Sequence, residues 1–220
     1  MGAAFALPSA AWAKEAAPLP NLMALCTSYV DKRRVSGMIA HIGRGGDAEN
    51  WQSAHAGALA FGSKTAPSPD SLWRIYSMTK PITAMAAMAL IGEGKMKLDQ
   101  PIADMLPEFA NMKVATNPKV SLDGVAAKTP ITVRHLMTHT AGLGYLISAE
   151  GALRDAYMRL GLNGGPLSKL PVAQAFLLPD PPSLKDFSER IASLPLIAEP
   201  GTKWHYSAGL DVLGRVIEVV

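Results

Sequence analysis

The chain has 220 residues, of which 49% are hydrophobic and 18% are charged, and this balance predicts a globular protein with a substantial core rather than a disordered chain. Its net charge of +3 arises from scattered Lys and Arg residues, so no basic stripe for binding nucleic acid is predicted. The single cysteine, Cys26, excludes an internal disulfide.

Residues 1–13 are apolar and end in Ala11-Trp12-Ala13, a small-x-small pattern that is typical of the cleavage site of a secretory signal. No Lys or Arg precedes this stretch, so two interpretations stay open. Either these residues are the remnant of a longer signal, which predicts a periplasmic or secreted protein, or they are the apolar leader of a cytoplasmic one. No apolar run reaches the about 18 residues that a membrane span needs, so none is expected.

A helix and a hairpin are predicted next. Asn21 is expected to cap a helix whose apolar face recurs through residues 22–29, and Cys26 on that face is interpreted as a small buried hydrophobe rather than a nucleophile. Residues 36–42 and 51–59 have the apolar character of strands and flank a turn. An antiparallel hairpin is the simplest connection between them.

The segment from residue 71 to residue 94 predicts an extended apolar stretch that leads directly into a helix. Residues 71–76 form the extended stretch, and Pro81 suits the first turn of the helix, where backbone N–H groups lack partners. The alanine-rich residues after it favour a helix that Gly92 and Gly94 close. Ser77 is therefore predicted to lie at a helix N-terminus.

The chain between residues 97 and 196 is predicted to be a helical lobe, because short helical patterns are interrupted there by Pro and Gly. These patterns cover residues 101–106, 132–138, 171–178 and 183–193. After a turn at Pro200-Gly201, residues 203–206 are expected to be extended. An amphipathic helix then begins near Leu210 and is expected to be unfinished at Val220. Strands at the front followed by helices predict the α+β class.

Ser77 and Lys80 are the residues that indicate chemistry. A serine hydroxyl becomes a nucleophile when a base takes its proton, and a lysine three residues later on a helix lies on the same face. We expect the helix N-terminus to favour negative charge on Ser77 and burial to lower the pKa of Lys80 until it can act as the base. Chance alone produces about one such pair in this composition. The predicted helix context, rather than the pair itself, favours catalysis over a helix-capping serine.

Other kinds of site have less support in the sequence. No Gly-x-Ser-x-Gly occurs, so the nucleophile elbow of α/β-hydrolases is absent. His135 and His139 are four residues apart and could share a helix face, which permits a metal pair, although a structural role is favoured. No metal and no cofactor is predicted.

Three ordered segments resemble the class C β-lactamase and family VIII carboxylesterase group. They are residues 72–80 (LWRIYSMTK), residues 131–143 (ITVRHLMTHTAGL) and residues 200–207 (PGTKWHYS). The resemblance implies a β-lactamase/transpeptidase-like fold, with an antiparallel sheet flanked by helices and a helical lobe. It also implies that Ser77 is the acylated nucleophile and that Lys80 and Tyr206 handle its proton. Because the ordinary pKa of tyrosine is about 10, a neighbouring cation such as Lys80 is needed to make Tyr206 basic.

Two departures from that group bear on the substrate. β-Lactamases and penicillin-binding relatives usually carry Asn two residues after the tyrosine, but this chain has Ala208, which favours the esterase branch. The third motif, Lys-Thr-Gly or His-x-Gly on a late strand, is expected beyond Val220. That strand would supply an oxyanion-hole N–H. Without the C-terminal strands, the isolated chain is expected to have exposed sheet edges and poor solubility or weak activity.

These observations predict a serine carboxylesterase that acts on small-molecule esters with short acyl chains. A β-lactamase or a D-alanyl-D-alanine carboxypeptidase, which would act on an amide, is the alternative. An inactive homologue that binds a peptide or a cell-wall fragment is an alternative of another class. Residues 14–220 are expected to form one partial hydrolase domain, with residues 97–196 as its helical lobe. Residues 142–182 are expected to line the pocket.

Overall fold

The computed structural model describes residues 19–43, 51–162 and 183–220. The chain divides into two compact units, Met1–Arg74 and Ile75–Val220. Two of the sequence predictions, the signal remnant at residues 1–13 and the helix at residues 171–178, lie outside the described residues.

In the part of the first unit that the structure describes, there are one helix and a two-stranded sheet. Helix α1 (Pro20–Asp31) packs on strands β1 (Gly37–Ile42) and β2 (Gln52–Gly57), which pair in antiparallel register. The predicted hairpin and the burial of Cys26 are confirmed. The predicted cap at Asn21 is wrong, because the helix already begins at Pro20, whose missing N–H suits the first helical position.

The second unit contains five helices and a short hairpin within its described residues. In chain order they are α2 (Thr79–Gly92), β3 (Lys113–Ala115), β4 (Gly124–Ala126), α3 (Val133–Met137), α4 (Gly151–Arg159), α5 (Leu184–Ala192) and α6 (Gly209–Val219). Single 3-10 turns at Tyr76–Met78, Ile102–Asp104 and Pro107–Phe109 connect parts of this series.

The core of the second unit forms around α6. This helix contacts α2, α3 and α5, and Leu210, Val212, Leu213 and Val216 are buried on its inner face. Burial of each such side chain contributes about 1.5–3 kcal/mol. The amphipathic helix predicted from residue 210 onward is therefore confirmed.

Local capping signals also place α3 and α5 where the sequence predicts them. The Thr132 hydroxyl accepts from the N–H of His135 at 3.3 Å, and the Ser183 hydroxyl accepts from the N–H of Asp186 at 3.1 Å. Each bond satisfies a backbone donor that the first helical turn leaves without an intrahelical partner.

Two sequence predictions fail in this region. Residues 113–126, predicted as part of a helical lobe, contain the β3–β4 hairpin, because Val114 pairs with Val125 and β3 also exchanges backbone hydrogen bonds with Leu196. Three-residue strands are too short to show a recognisable period. Residues 71–76, predicted to be an extended apolar stretch, form no strand, and the 3-10 turn already begins at Tyr76. Leu72 there is 99% exposed rather than packed in a sheet.

Across the described residues, no helix combines the length and the apolar character that a membrane crossing requires.

Candidate active site

Ser77 lies in the 3-10 turn that runs directly into α2. The residue before it, Tyr76, has a φ of +46°, a left-handed conformation that is uncommon for a bulky side chain. This sharp turn leaves Ser77 exposed at the start of the helix. The predicted position of Ser77 at a helix N-terminus is confirmed.

Lys80 is the second residue of α2 and lies one turn beyond Ser77. Its Nζ donates a hydrogen bond of 3.4 Å to Ser77 Oγ, which is at the long end of the usual range. The expected proximity of the amine and the hydroxyl is therefore present in the structure.

Tyr206 reaches the same serine from the segment that precedes α6. Its hydroxyl donates to Ser77 Oγ at 2.7 Å, across 129 positions of sequence. Lys80 Nζ lies 4.9 Å from the centre of the Tyr206 ring. The three residues that the sequence singles out thus converge on one oxygen atom.

The protonation of Lys80 differs from the expectation. Burial acts to lower its pKa, but the hydrogen bonding and charge of Tyr206, together with the charges of Tyr145 and Asp211, outweigh burial and raise the pKa above the ordinary value. The expected depression of the Lys80 pKa is therefore wrong. The reason is that this amine is only partly buried and faces groups that become negative.

The pKa of Tyr206 shifts in the opposite direction to that of Lys80. Burial acts to raise its pKa, but hydrogen bonding with Lys80 and Ser77 and the positive charge of Lys80 lower the pKa below the ordinary value for tyrosine. As the pH rises, Tyr206 therefore loses its proton before Lys80 does. In that order of ionisation, a Tyr206 phenolate forms beside a Lys80 that is still protonated.

Tyr145 and Asp211 complete the charge environment; Tyr145 lies in the predicted pocket wall, whereas sequence reasoning missed Asp211 as a site residue. The Tyr145 ring packs edge-on against the Tyr206 ring, with centroids 5.4 Å apart, and Lys80 Nζ lies 5.7 Å from its centre. Burial raises the pKa of Tyr145, so it is a neutral phenol at neutral pH and its charge acts on Lys80 only in the alkaline range. Burial also raises the pKa of Asp211 in the first turn of α6, although the positive charge of Lys80 acts to lower it. The available signal for Asp211 was an acidic residue inside an apolar helical pattern.

The backbone of residues 139–144 holds the segment that carries Tyr206. The Gly142 carbonyl accepts from the N–H of Ile197 at 2.7 Å, and the Thr140 carbonyl accepts from the N–H of Gly201 at 2.8 Å. The Gly144 carbonyl accepts from the N–H of Ala208 at 3.2 Å. Part of the segment at residues 131–143 thus fixes the loop that presents Tyr206.

Gly142 is required at the centre of this contact. Its φ is +76°, and an added Cβ would overlap the Ala198 carbonyl. Gly142→Ala is therefore expected to lower the free energy of unfolding by at least about 3 kcal/mol, through backbone strain, displacement of residue 198 and a weakened hydrogen bond to Ile197. Urea denaturation measures the change.

Gly94→Ala is the matched control for that prediction. Gly94 has a similar φ of +74°, but an added Cβ would meet no atom within 4 Å. This change should cost about 1–2 kcal/mol from backbone strain alone. Equal losses in the two variants would contradict the close approach at Gly142.

His135 and His139 do not share a helix face, because α3 ends at Met137 and His139 has a φ of +57°. His135 Nδ1 accepts from the backbone N–H of Thr132 at 3.2 Å and completes the cap of α3. His139 Nδ1 accepts from the backbone N–H of Ser207 at 3.1 Å. Each imidazole therefore has a structural partner, and the geometry of a metal-binding pair on one helix face is not formed.

The predicted pocket wall at residues 142–182 is described in part. Tyr145 from this stretch lies at the site, whereas residues 163–182 lie outside the described residues.

Comparisons with known proteins agree with the fold. The family model described as Beta-lactamase matches residues 22–220. Esterase EstB of Burkholderia gladioli is 34% identical over 224 aligned positions, which cover 98% of this chain and 49% of EstB.

Solved structures give the same result. EstCE1, described as a hydrolase with promiscuous acyltransferase activity, superimposes with a TM-score of 0.67 at 32% identity over 90% of this chain and 46% of EstCE1. Simvastatin synthase (LovD) from Aspergillus terreus superimposes with a TM-score of 0.62 at 28% identity over 93% of this chain and 48% of that enzyme. The chain spans about half the length of these relatives. It belongs to the Beta-lactamase family and has the α+β, β-lactamase/transpeptidase-like fold that its three motifs predicted.

Proposed function

We propose that this protein is a serine hydrolase, a carboxylesterase that forms an acyl-enzyme on Ser77 and cleaves small-molecule esters with short acyl chains. The observation that carries the proposal is the convergence on Ser77 Oγ of the Tyr206 hydroxyl at 2.7 Å and Lys80 Nζ at 3.4 Å. A nucleophile, a base and a cation that stabilises the base are what activation of a serine for acyl transfer requires.

The reaction follows from the order in which the groups ionise. The Tyr206 phenolate accepts the Ser77 proton as Oγ forms a bond to the ester carbonyl carbon. As the carbon–oxygen bond to the alcohol breaks, Tyr206 returns that proton to the leaving oxygen. Water then attacks the acyl-enzyme with Tyr206 again as base, which releases the acid and restores Ser77. Lys80 stays protonated and stabilises the phenolate at each step.

Two observations support an ester rather than a β-lactam as substrate. Ala208 occupies the position where β-lactamases and penicillin-binding relatives usually carry Asn. The relative EstB is described as an esterase.

Acyl transfer to an alcohol is a second candidate activity. EstCE1 is described as having promiscuous acyltransferase activity, and transfer differs from hydrolysis only in that an alcohol replaces water in the second step.

A substrate panel tests the proposal. The protein is incubated with chromogenic esters of increasing acyl length, a chromogenic cephalosporin and a D-alanyl-D-alanine peptide, while intact mass reports labelling by a fluorophosphonate. We expect labelling of one serine and the highest kcat/KM for the short-chain esters. Faster turnover of the cephalosporin or the peptide would favour the β-lactamase or carboxypeptidase alternative. Labelling of only a C-terminally extended version would mean that the further strands complete the site. A folded protein that is neither labelled nor active in both versions would favour the inactive binding homologue.

We propose further that residues 14–220 belong to one hydrolase domain with residues 97–196 as a lobe. We also propose that residues 1–13 belong to a signal for export to the periplasm or the medium. The apolar stretch with its Ala11-Trp12-Ala13 ending supports the export proposal. Mass spectrometry of the N-terminus of the protein made in its source cell tests it, since export predicts cleavage after Ala13.

The lowered pKa of Tyr206 gives a prediction that does not depend on activity. The ultraviolet absorbance of phenolate is titrated in the wild type and in Tyr206→Phe, and the difference isolates Tyr206. Its midpoint is expected below the ordinary value of about 10. In a Lys80→Met background the midpoint should move to higher pH, because the cation and its hydrogen bond are lost while burial remains. A midpoint that Lys80→Met leaves unchanged would contradict the assigned role of Lys80.

A further inference from the structure

His139 contacts the Tyr206 ring and accepts hydrogen bonds from the residues on either side of Tyr206. The two rings pack with centroids 4.7 Å apart and an interplanar angle of 30°. The His139 carbonyl accepts from the backbone N–H of His205 at 2.8 Å, and His139 Nδ1 accepts from the backbone N–H of Ser207 at 3.1 Å. The residues before and after Tyr206 are therefore both bonded to the same residue that packs on its ring.

The hydrogen bonds fix the protonation of the imidazole. A backbone N–H can only donate, so Nδ1 of His139 carries no proton and the neutral ring has its proton on Nε2. Ser207 Oγ lies 3.2 Å from the same Nδ1 and accepts from the N–H of Gly209 at 3.2 Å. Ser207 is 1% exposed. The imidazole is thus linked to the backbone and the buried hydroxyl of Ser207, and through that hydroxyl to Gly209, the first residue of α6.

The backbone of His139 is in a strained conformation. Its φ of +57° lies in the left-handed region, where a residue other than glycine carries about 1–2 kcal/mol of strain. Strained residues of this kind tend to lie at functional sites, where the surrounding structure holds them. Here the strain lies beside the residue proposed as the base.

We infer that His139 is a positioning residue for the reaction: in its neutral form it holds the Tyr206 oxygen against Ser77 Oγ, and protonation of its ring releases that hold. The inference rests on the proposed acyl-enzyme function. His139 touches neither the substrate nor Ser77 in this role, and acts through Tyr206.

The charges around His139 set the pH at which the hold is lost. The titratable groups that face it are Lys80 from α2 and Tyr206 itself, while Tyr145 and Asp211 act on Lys80. Burial first, and the positive charge of Lys80 second, lower the pKa of His139 below the ordinary histidine value. The neutral ring therefore predominates at neutral pH. As the pH falls through that lowered pKa, Nδ1 gains a proton. Two N–H donors then face each other, and the hydrogen bond from Ser207 is lost.

Two substitutions separate the hydrogen bond from the backbone conformation. Asn and Gly both tolerate a positive φ, so neither His139→Asn nor His139→Gly adds steric strain. The amide oxygen in His139→Asn keeps an acceptor near the position of Nδ1 that does not titrate, whereas His139→Gly removes the acceptor. The rate of fluorophosphonate labelling of Ser77 is measured against pH for both variants and the wild type, and thermal melting reports folding.

At neutral pH, His139→Gly is expected to be labelled about 10- to 100-fold more slowly than the wild type, and His139→Asn within about fivefold of it. In the wild type, the labelling rate should first fall about tenfold per pH unit, because one proton converts the Tyr206 phenolate to phenol. Below the pKa of His139 it should fall about a hundredfold per pH unit, because a second proton then binds His139. His139→Asn should show the one-proton dependence throughout. If His139 had only a structural role, its replacement by Asn would not change the number of protons on which the labelling rate depends.

The outcomes distinguish the inference from the function on which it rests. A wild-type protein that is not labelled overturns the proposed function and this inference with it. A labelled wild type whose rate and pH dependence are matched by both variants overturns the positioning role alone. If His139→Gly fails to fold, the pH dependence of His139→Asn decides, because retention of the two-proton fall would overturn the role of His139.

Discussion

Ser77→Ala is expected to abolish covalent labelling by a fluorophosphonate and to lower ester hydrolysis by at least about a thousandfold. The Ser77 oxygen is the atom on which the Tyr206 hydroxyl and Lys80 Nζ converge, at 2.7 and 3.4 Å, and alanine leaves them nothing to activate. Because Ser77 is exposed, the change should alter stability by no more than about 0.5 kcal/mol. Intact-mass analysis and steady-state hydrolysis measure the two effects.

Ser193→Ala is the matched control for this loss. Ser193 is an exposed serine at the end of α5, and its hydroxyl donates to the Arg190 carbonyl at 2.7 Å. This variant should be labelled at the wild-type rate. Peptide mapping of the labelled wild type should place the added mass on Ser77, and labelling that persists in Ser77→Ala would show that another residue is the nucleophile.

Tyr206→Phe is expected to slow acylation of Ser77 by about 100- to 10,000-fold, the usual range for loss of a general base. The substitution removes the oxygen that accepts the serine proton and keeps the ring that packs on His139 and Tyr145. Single-turnover measurement of alcohol release separates this acylation step from hydrolysis of the acyl-enzyme.

Tyr29→Phe makes the same chemical change on α1, in the unit that contains none of the three site residues, and should leave the acylation rate unchanged. Lys80→Met combined with Tyr206→Phe provides a second check. Residues that act as one unit have non-additive effects, so the double variant should acylate no more slowly than the slower single variant. Additive losses would mean that Lys80 acts on Ser77 independently of Tyr206.

The pKa of Lys80 illustrates why the chemistry of the site could not be derived from the motif. The sequence places an amine one helical turn from a serine, and burial of an amine by itself lowers its pKa. The folded chain also places Tyr206, Tyr145 and Asp211 around that amine, and their combined interaction exceeds the effect of burial. The direction of the shift depends on which of two opposing effects is larger, and that balance exists only in the assembled site.

The elements that the sequence determined by itself are those that depend on local order. The capping residues Thr132 and Ser183 lie where α3 and α5 begin, and the apolar spacing from Leu210 marks the buried face of α6. Ser77 lies in the 3-10 turn that leads into α2, as the residues that follow it predict. These features need a few neighbouring residues, because capping, periodicity and turn formation act within one or two helical turns.

Tertiary structure alone decided the features that depend on distant residues. It brought Tyr206 to Ser77 across 129 positions, turned His139 from a candidate helix ligand into the support of Tyr206, and paired Val114 with Val125 in a hairpin too short to show a period. The resemblance to a family implied that Tyr206 and Ser77 would meet, but not the geometry of that meeting or its support. The physical reason is that hydrogen bonds, packing and charge act through space, so their balance is set when distant segments fold together.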